Sequence, residues 1–285
     1  MYLNTRTDLA FEADELWRRS AGESAELPGV KSANETVSGC GVTSVEILDQ
    51  QGASALCKPV GKYYTLELDR VLHREDSAFE DAVSALAQLL RRLNMPPEGD
   101  IVCACLGNPN ITPDSVGPFA AENLIVTRHL KRSMPQDFAA FRSVSVVRPG
   151  VLGTSGIESA EYVRAFCGQV SPSFVIVVDA LASADLSSLG RTLQITDAGI
   201  APGSGVGNDR AALNAAYLGV PVAAVGVPTV VDAGAFSQDE LAKGMFVTPR
   251  SIDDLVRRAG KLIGYGIDLA LHSGLTCADV DMLIE

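Results

Sequence analysis

The second half of the chain alternates short apolar segments with helical ones, and this pattern limits the possible folds more than any other feature. Helical segments are expected near 113–132, 157–168 and 208–217. Strand-like apolar segments precede or follow them at IVCACL (101–106), SVSVV (143–147), FVIVVD (174–179), TLQIT (192–196) and VAAVGV (222–227). Continuous apolar strands alternating with helices are typical of a mostly parallel sheet covered on both faces. We therefore predict an α/β fold, a three-layer α/β/α sandwich with a mostly parallel central sheet.

The first hundred residues follow a different pattern. Residues 8–20 have helical spacing, and the polar, turn-rich segment after them, 21–41, is expected to be a loop. VTSVEIL and KYYTLEL alternate in the manner of strands, so the region of about 40–75 is predicted to be a small β appendage or an edge of the sheet. With 285 residues and 47% hydrophobic content, the chain is expected to form a single domain over 1–285.

Charge and hydropathy exclude several classes of protein. There are 23 basic and 35 acidic residues, and a net charge of −12 repels nucleic-acid phosphates and anionic lipids. No apolar run approaches the roughly 18 to 20 residues of a membrane helix, and the start of the chain lacks the order of a signal peptide. We expect a cytoplasmic protein without a nucleic-acid or membrane partner.

Metal and cofactor sites have little support in the sequence. Cys103 and Cys105 lie on one face of a strand, but no Cys or His stands nearby at ligand spacing, which favours packing over metal binding. With only three histidines in the chain, a His-based zinc site is poorly supplied. We predict neither a metal nor a cofactor.

Several aspartates are expected where strands end, and these are the candidate catalytic groups. Asp114 follows the strand at 101–106, Asp179 ends FVIVVD, Asp197 follows TLQIT, and Asp232 lies just beyond VAAVGV. In an open α/β sheet, ligands and catalytic groups collect beyond the carboxyl ends of the strands. The sequence therefore predicts that some of these carboxylates converge at one edge.

Asp179 is the most informative of these acids. A carboxylate that ends a run as apolar as FVIVV is costly unless it is paired, solvated or used. Thr112 and Pro113 resemble a helix cap and a first helical position, which would fix Asp114 in the first turn. Two adjacent carboxylates share a proton, so the pair can activate water and protonate a leaving group without His or metal. Spacing alone leaves two interpretations open: simple capping or solvated roles, and a working pair of Asp114 and Asp179.

The glycine-rich loop DAGIAPGSGVGNDR (197–210) does not match either common phosphate-binding motif. A Walker loop requires Gly-Lys-Ser/Thr where this chain has Gly-Asn-Asp at 207–209, and the dinucleotide fingerprint requires a different glycine spacing in a tight turn. The loop is interpreted as structural or as a backbone-lined substrate cleft. A triad with Ser204 and His129 is disfavoured because Ser204 lacks the G-x-S-x-G elbow.

Together, these motifs resemble the germination protease family of spore-forming bacteria from about Arg6 to the C-terminal helix. The segments that carry the resemblance, in order, are LGNPNITPDSVGP, ENLIVTRHL, PGVLGTSGIES, VDALAS, QITDAGIAPGSGVGN and LGVPVAAVGVPTVVDA. The resemblance implies a phosphorylase/hydrolase-like α/β sandwich, similar to that of hydrogenase-maturation proteases. It implies an atypical aspartic endopeptidase that cleaves small acid-soluble spore proteins during germination, located in the spore core and forming a homotetramer.

The resemblance also assigns site residues. It implies that Asp114, in ITPDSVGP, and Asp179, in VDALAS, are catalytic. The residues expected to bind substrate or support the site are Asn108, Thr112, Asp197, Gly203, Ser204 and Gly205.

The same family removes its own N-terminal segment at a site where an acid precedes an apolar residue and alanine. TRTDLAFEA fits this pattern, so we expect cleavage between Asp8 and Leu9, with 1–8 as a short propeptide. The alternative is that Asp8 only starts the first helix.

The chain departs from the family pattern at several places that bear on function. A long insertion common in the family is missing near 234–245, which bears on the predicted tetramer, and Pro109 replaces a common aromatic residue, which bears on substrate preference. Two other readings remain open: a metal-dependent protease in which the same two acids bind a transition metal, and a binding protein of the same fold without activity.

Overall fold

The computed structural model describes residues 7–22, 27–203, 205, 207, 211–237, 242 and 244–284, which form one sheet with helices on both faces. The strands are β1 (Val30–Val37), β2 (Cys40–Ile47), β3 (Gly61–Glu67), β4 (Asp100–Cys105), β5 (Ser143–Val147), β6 (Phe174–Ser183), β7 (Thr192–Thr196), β8 (Val222–Asp232) and β9 (Phe246–Val247). The helices are α1 (Ala10–Ala21), α2 (Gln50–Leu56), α3 (Asp69–Leu72), α4 (Ala78–Arg91), α5 (Val116–Glu122), α6 (Arg128–Ser133), α7 (Leu152–Ser155), α8 (Ser159–Val170), α9 (Ala215–Leu218), α10 (Ile252–Leu271) and α11 (Cys277–Ile284).

The strand order is β1-β2-β3-β7-β8-β6-β4-β5, with β9 paired to β8. Strands β1, β3, β4, β5, β6 and β8 run in one direction, and β2, β7 and β9 run in the other. The predicted fold class is therefore confirmed: helices cover both faces of a mostly parallel sheet. The region around 40–75 supplies β2 and β3, which extend this sheet through the pairing of β3 with β7.

The direction of β7 differs from the sequence prediction. β7 pairs antiparallel with β3 and β8, and Thr196 lies opposite Ala224, near the amino end of β8. The eight residues 184–191 that join β6 to β7 are too few to cross back over the sheet, because a parallel crossover needs a dozen or more. The prediction that Asp197 emerges at the same edge as Asp179 was therefore wrong.

Two local predictions also differ from the structure. Residues 30–37, expected to be part of a loop, form the edge strand β1, which pairs along its whole length with β2. The helix expected over 113–132 is divided into a 3-10 turn at Thr112–Asp114 and the separate helices α5 and α6.

The two faces of the sheet are covered differently. On the first, which we call the closed face, α4, α5 and α10 pack over a single apolar core centred on Leu86, Leu89 and Ile176. On the second, the divided face, α8 and α9 cover one apolar cluster while α1 and α2 cover another. A cleft of about 1240 Å³ lies on this divided face, and Leu181, Gln194 and Gly226 are among the residues that line it.

Candidate active site

Asp179 lies within β6 and is 4% exposed. Val175 and Val177 belong to the apolar cluster under α8, and alternation along the strand places Asp179 on the same divided face. The Ala180 backbone N–H donates to Asp179 Oδ1 at 2.9 Å. The strand continues beyond Asp179 to Ser183, so this carboxylate is inside the sheet and not on the following turn.

Asp114 lies in the 3-10 turn that follows β4, and its carboxylate closes that turn. The Asn108 backbone N–H donates to Asp114 Oδ2 at 2.9 Å and to the Asp114 carbonyl at 3.0 Å. Gly107, with φ of 111°, makes this geometry possible, since a Cβ there would lie 2.0 Å from the Asp114 carbonyl oxygen. The predicted cap is wrong, because the turn begins at Thr112 without a side-chain capping bond.

The end of β4 and the middle of β6 are neighbours. Cys105 pairs with Val178, and the Leu106 N–H donates to the Val178 carbonyl at 2.8 Å. The 3-10 turn that carries Asp114 packs against β6, β8 and helix α10. The structure thus places Asp114, together with Asn108 and Thr112, on a turn next to the strand that holds Asp179.

Residues 7–10 enter the cleft on the divided face. The Asp8 N–H donates to the Ala182 carbonyl, and the Ala182 N–H donates to Asp8 Oδ2, both at 2.8 Å. Gly205 borders this contact: a Cβ there would lie 2.3 Å from Asp8 Oδ2 and 2.6 Å from the Ala182 Cβ, so a larger residue would displace the Asp8 carboxylate. The Lys58 ammonium donates to the Thr7 carbonyl at 2.6 Å. Burial lowers the pKa of Lys58, and the nearby Asp8 carboxylate opposes that shift.

Gln194 of β7 completes the contacts to this segment. Its Nε2 donates to the Asp8 carbonyl at 3.0 Å, and its Oε1 accepts from the Ala10 N–H at 2.7 Å. Sequence reasoning missed Gln194, although an amide within the apolar strand TLQIT is the same kind of signal as an acid within FVIVVD.

The remaining predicted site residues lie in different places. Asp197 accepts from the Lys62 N–H at 2.7 Å beside β3, where burial and the Asp197 charge raise the pKa of Tyr63. Gly203, with φ of 76°, belongs to the same loop as Gly205, and Ser204 lies outside the described residues. Asp232 accepts from the Gly234 N–H at 2.8 Å and starts a short 3-10 turn.

The other titratable groups considered from the sequence lie apart from the cleft. Cys103 and Cys105 are buried in the closed-face core, and burial raises the pKa of the Cys105 thiol to about 12. His129 is exposed on α6. Within the described part of the chain, no group of three or more His, Cys, Asp or Glu side chains is arranged to hold a metal ion. None of the helices in that part combines the length and apolar character of a membrane span.

Comparison with known proteins places these features in a family. Residues 8–243 match the family described as germination protease. A germination protease of Caldanaerobacter subterraneus subsp. tengcongensis is 38% identical over an alignment of 325 residues that covers 99% of each chain. One from Clostridium perfringens is 35% identical over the same shares, and one from Bacillus cereus is 38% identical over 84% of this chain and 66% of its own.

Among solved structures, the NiFe hydrogenase maturation protease HycI from Thermococcus kodakarensis aligns with a TM-score of 0.38 and 19% identity, covering 63% of this chain and 98% of its own. The family assignment depends on the sequence matches, which extend over nearly the whole chain. This chain belongs to the germination protease family.

Proposed function

We propose that this chain is an atypical aspartic endopeptidase in which Asp114 and Asp179 share a proton and hydrolyse a peptide bond held in the cleft. The observation that carries the proposal is the chain's own segment 7–10, which runs into helix α1 at Ala10 and is bound through Asp8 to the strand that holds Asp179. One main-chain bond and one bond to the Asp8 carboxylate join the segment to the strand, so a peptide can be held at this position by its backbone and by an acidic side chain. The family name supports peptide-bond hydrolysis as the reaction class.

The two carboxylates have different surroundings, which suits a division of roles. Asp179 is buried, whereas Asp114 is partly exposed at the rim. When two carboxylates share one proton, the ionised group takes a proton from water as that water attacks the carbonyl carbon. The protonated group then supplies a proton to the departing amine nitrogen. Burial excludes competing water from Asp179 and strengthens its interaction with the reacting groups.

The first peptide bond that we expect the enzyme to cut is its own Asp8–Leu9 bond, which makes 1–8 a short propeptide. Three contacts support this choice: Asp8 pairs with Ala182, its carboxylate is bound by a backbone N–H, and the Lys58 ammonium lies against the preceding carbonyl. An acid in this position is therefore held by its side chain as well as its backbone. Other substrates with an acid before the cut would be held in the same way.

We propose small acid-soluble spore proteins as the substrates, cut in the spore core during germination. The relatives' name supports the germination role. The net charge of −12 means that the enzyme would not follow its DNA-binding substrates onto phosphates, so cleavage would follow their release. A homotetramer is the proposed assembly, and light scattering on the purified protein would give its mass.

Substitution of each acid by its amide tests the proposed reaction. Asp114→Asn and Asp179→Asn are each expected to slow cleavage of Asp8–Leu9 and of an added spore-protein substrate by about 1000-fold or more, since acid–base groups contribute about 10²- to 10⁴-fold each. Mass spectrometry of the N-terminus and gel analysis of the substrate give the two rates. Asp100→Asn is the matched control, because Asp100 lies at the opposite end of β4 and pairs with Arg128.

Two results would contradict the proposal. Cleavage at the wild-type rate by the variant that lacks both acids would exclude the pair. If a chelator abolished cleavage by the wild-type protein and a divalent metal restored it, the shared-proton mechanism would be wrong. A metal bound by the same carboxylates would then be the catalytic group.

A further inference from the structure

The amide of Gln194 contacts the backbone on both sides of the Asp8–Leu9 bond. Gln194 is 5% exposed, and both of its polar atoms are bonded to this segment. Nε2 donates to the Asp8 carbonyl oxygen, which is the carbonyl that a cut at Asp8–Leu9 would attack. Oε1 accepts from the N–H of Ala10, the second residue after the bond.

The chemistry of the partners fixes the orientation of this amide. A carbonyl oxygen only accepts and a backbone N–H only donates, so Nε2 must face Asp8 and Oε1 must face Ala10. The backbone of Gln194 is also fixed, since it lies between Thr65 of β3 and Gly226 of β8 in the sheet. The donor is therefore held in place before any reaction begins, which is the condition for effective electrostatic stabilisation.

Gln194 lies in the same cross-strand row as Asp179. In the sheet register, Asp179 is opposite Gly226 and Gly226 is opposite Gln194. Residues in one row point to the same face, and two strand spacings of about 4.8 Å separate Asp179 from Gln194 along the sheet. Asp8 spans this interval, because its N–H is bonded to β6 and its carbonyl to β7.

We propose that Gln194 is the electrophilic group of the site: its Nε2–H stabilises the negative charge that develops on the scissile carbonyl oxygen, and its Oε1 fixes the chain after the cut. This inference rests on the proposed cleavage of Asp8–Leu9. Water oxygen adds to the Asp8 carbonyl carbon, the carbonyl π electrons move to the oxygen that Gln194 holds, and the water proton passes to the carboxylate pair. Collapse breaks the C–N bond, the pair protonates the Leu9 nitrogen, and the products are an Asp8 carboxyl group and a Leu9 amine.

Because both contacts are made to the backbone, Gln194 is expected to act on every substrate regardless of its side chains. Recognition of the acid before the cut would remain with the Ala182 N–H. Substitution of Gln194 should therefore lower the rate of cleavage strongly and change little which substrate sequences are cut.

The test measures self-cleavage of the full chain after Gln194→Glu and Gln194→Met. Both changes keep the side-chain length and remove the N–H donor, and each is expected to slow the cut at Asp8–Leu9 by about 100- to 1000-fold. Gln88→Glu, on the exposed side of α4, is the matched control and should cut at the wild-type rate. Trp17 lines the cleft and is the only tryptophan, so its fluorescence reports whether the segment is still bound.

A pH profile separates a catalytic donor from a merely structural contact. Protonation of the introduced carboxylate in the Gln194→Glu variant restores an O–H donor, so the ratio of its rate to the wild-type rate should rise as the pH falls. The Gln194→Met ratio should stay low at every pH. Unchanged Trp17 emission in both variants would show that the segment remains in the cleft.

The possible failures are distinguishable. Wild-type cleavage at Asp8–Leu9 that needs Asp114 and Asp179 but proceeds at full rate in both Gln194 variants would overturn only this inference. A slow rate that accompanies loss of the bound segment, seen as a change in Trp17 emission, would also overturn it. A wild-type chain that leaves Asp8–Leu9 intact would overturn both the inference and the proposed self-processing.

Discussion

The closed and divided faces of the same sheet have different uses. The closed face carries one unbroken apolar core, while the divided face carries two smaller clusters and the cleft. Alternation along β6 shows the difference within one strand: Val178 belongs to the closed-face core, and Asp179 points to the divided face. Because the cleft interrupts the apolar core of the divided face, polar groups there can be buried and still be reached by a peptide. Burial of polar groups costs stability, and the continuous core of the closed face offsets that cost.

Close contacts between helices are a further feature of the closed face. There, α10 has Gly260, Gly264 and Gly266 pressed against α5 or α4, where a Cβ at any of these positions would meet a neighbour within 2.3 to 2.5 Å. Gly168, on the exposed side of α8 over the divided face, has nothing within 4 Å of a Cβ. The same substitution should therefore have opposite effects at these buried and exposed helix positions.

Truncation of a buried leucine should have the largest effect, and a larger one on the closed face. Leu89→Ala, within the continuous core, is expected to lower the free energy of unfolding by about 3 to 5 kcal/mol. Leu56→Ala is expected to cost about 2 kcal/mol, because Leu56 lines the cleft and water can fill the space that is left. Denaturant unfolding of both variants measures the difference, and equal losses would contradict the contrast between the faces.

The second prediction concerns a buried histidine behind the closed face. Burial and the nearby Arg142 and Lys131 charges lower the pKa of His272 to about 4, and the Arg142 N–H donates to its Nδ1. The unfolded chain takes up this proton near pH 6.5, so it binds more protons than the folded chain between pH 6.5 and 4. This group's contribution to stability is therefore lost as the pH falls through that window, by at most about 3 kcal/mol.

The neighbouring Asp268 acts in the opposite direction, so a variant is needed to isolate the histidine. Burial raises the pKa of Asp268, whose carboxylate accepts from the Ile125 N–H, and its contribution to stability grows as the pH falls. His272→Asn keeps an acceptor for the Arg142 N–H and removes the titration. The free energy of unfolding of wild type minus that of the variant should decrease from pH 7 to pH 4.5, and a pH-independent difference would refute the assignment.

The third prediction addresses the tight helix contact of the closed face. A Cβ at Gly264 would lie 2.3 Å from the carbonyl oxygen of Asn123, which is backbone and cannot turn aside. Gly264→Ala is therefore expected to lower the free energy of unfolding by about 1 to 3 kcal/mol, despite the better helix propensity of alanine. Thermal unfolding would show the loss, and a more stable variant would mean that α10 can move away from α5 without cost.

The sequence predicted which segments form strands better than it predicted the direction of those strands in the sheet. Apolar runs such as FVIVVD and VAAVGV are recognisable because both of their faces are buried. Strand β1 was missed because most of its side chains are exposed and polar, and it is held mainly by backbone pairing with β2. The direction of β7 was missed because an apolar pattern carries no direction, and the error displaced Asp197 to the wrong edge.

The candidate site was predictable only in part for a similar reason. Charged residues in apolar strands, such as Asp179, are conspicuous, because burial of a charge is costly. Gln194 gives a weaker signal, since a buried amide is common where hydrogen bonds satisfy it, and its partners Asp8 and Ala10 are remote in sequence. The contacts of the N-terminal segment depend on the three-dimensional fold, and no local pattern specifies them.

The smallest effect should come from the divided face and should have the opposite sign. Gly168 lies near the end of α8, exposed, with helical backbone and nothing within 4 Å of a Cβ. Gly168→Ala adds no clash and restricts the unfolded chain, so the free energy of unfolding should rise by about 0.5 to 1 kcal/mol. Paired with Gly264→Ala, this makes the same change at an exposed and a buried helix position, and denaturant unfolding of both gives the sign of each. A loss in both variants would show that glycine is required for some reason other than the close packing of α10, and the contrast between the faces would then be confined to their leucines.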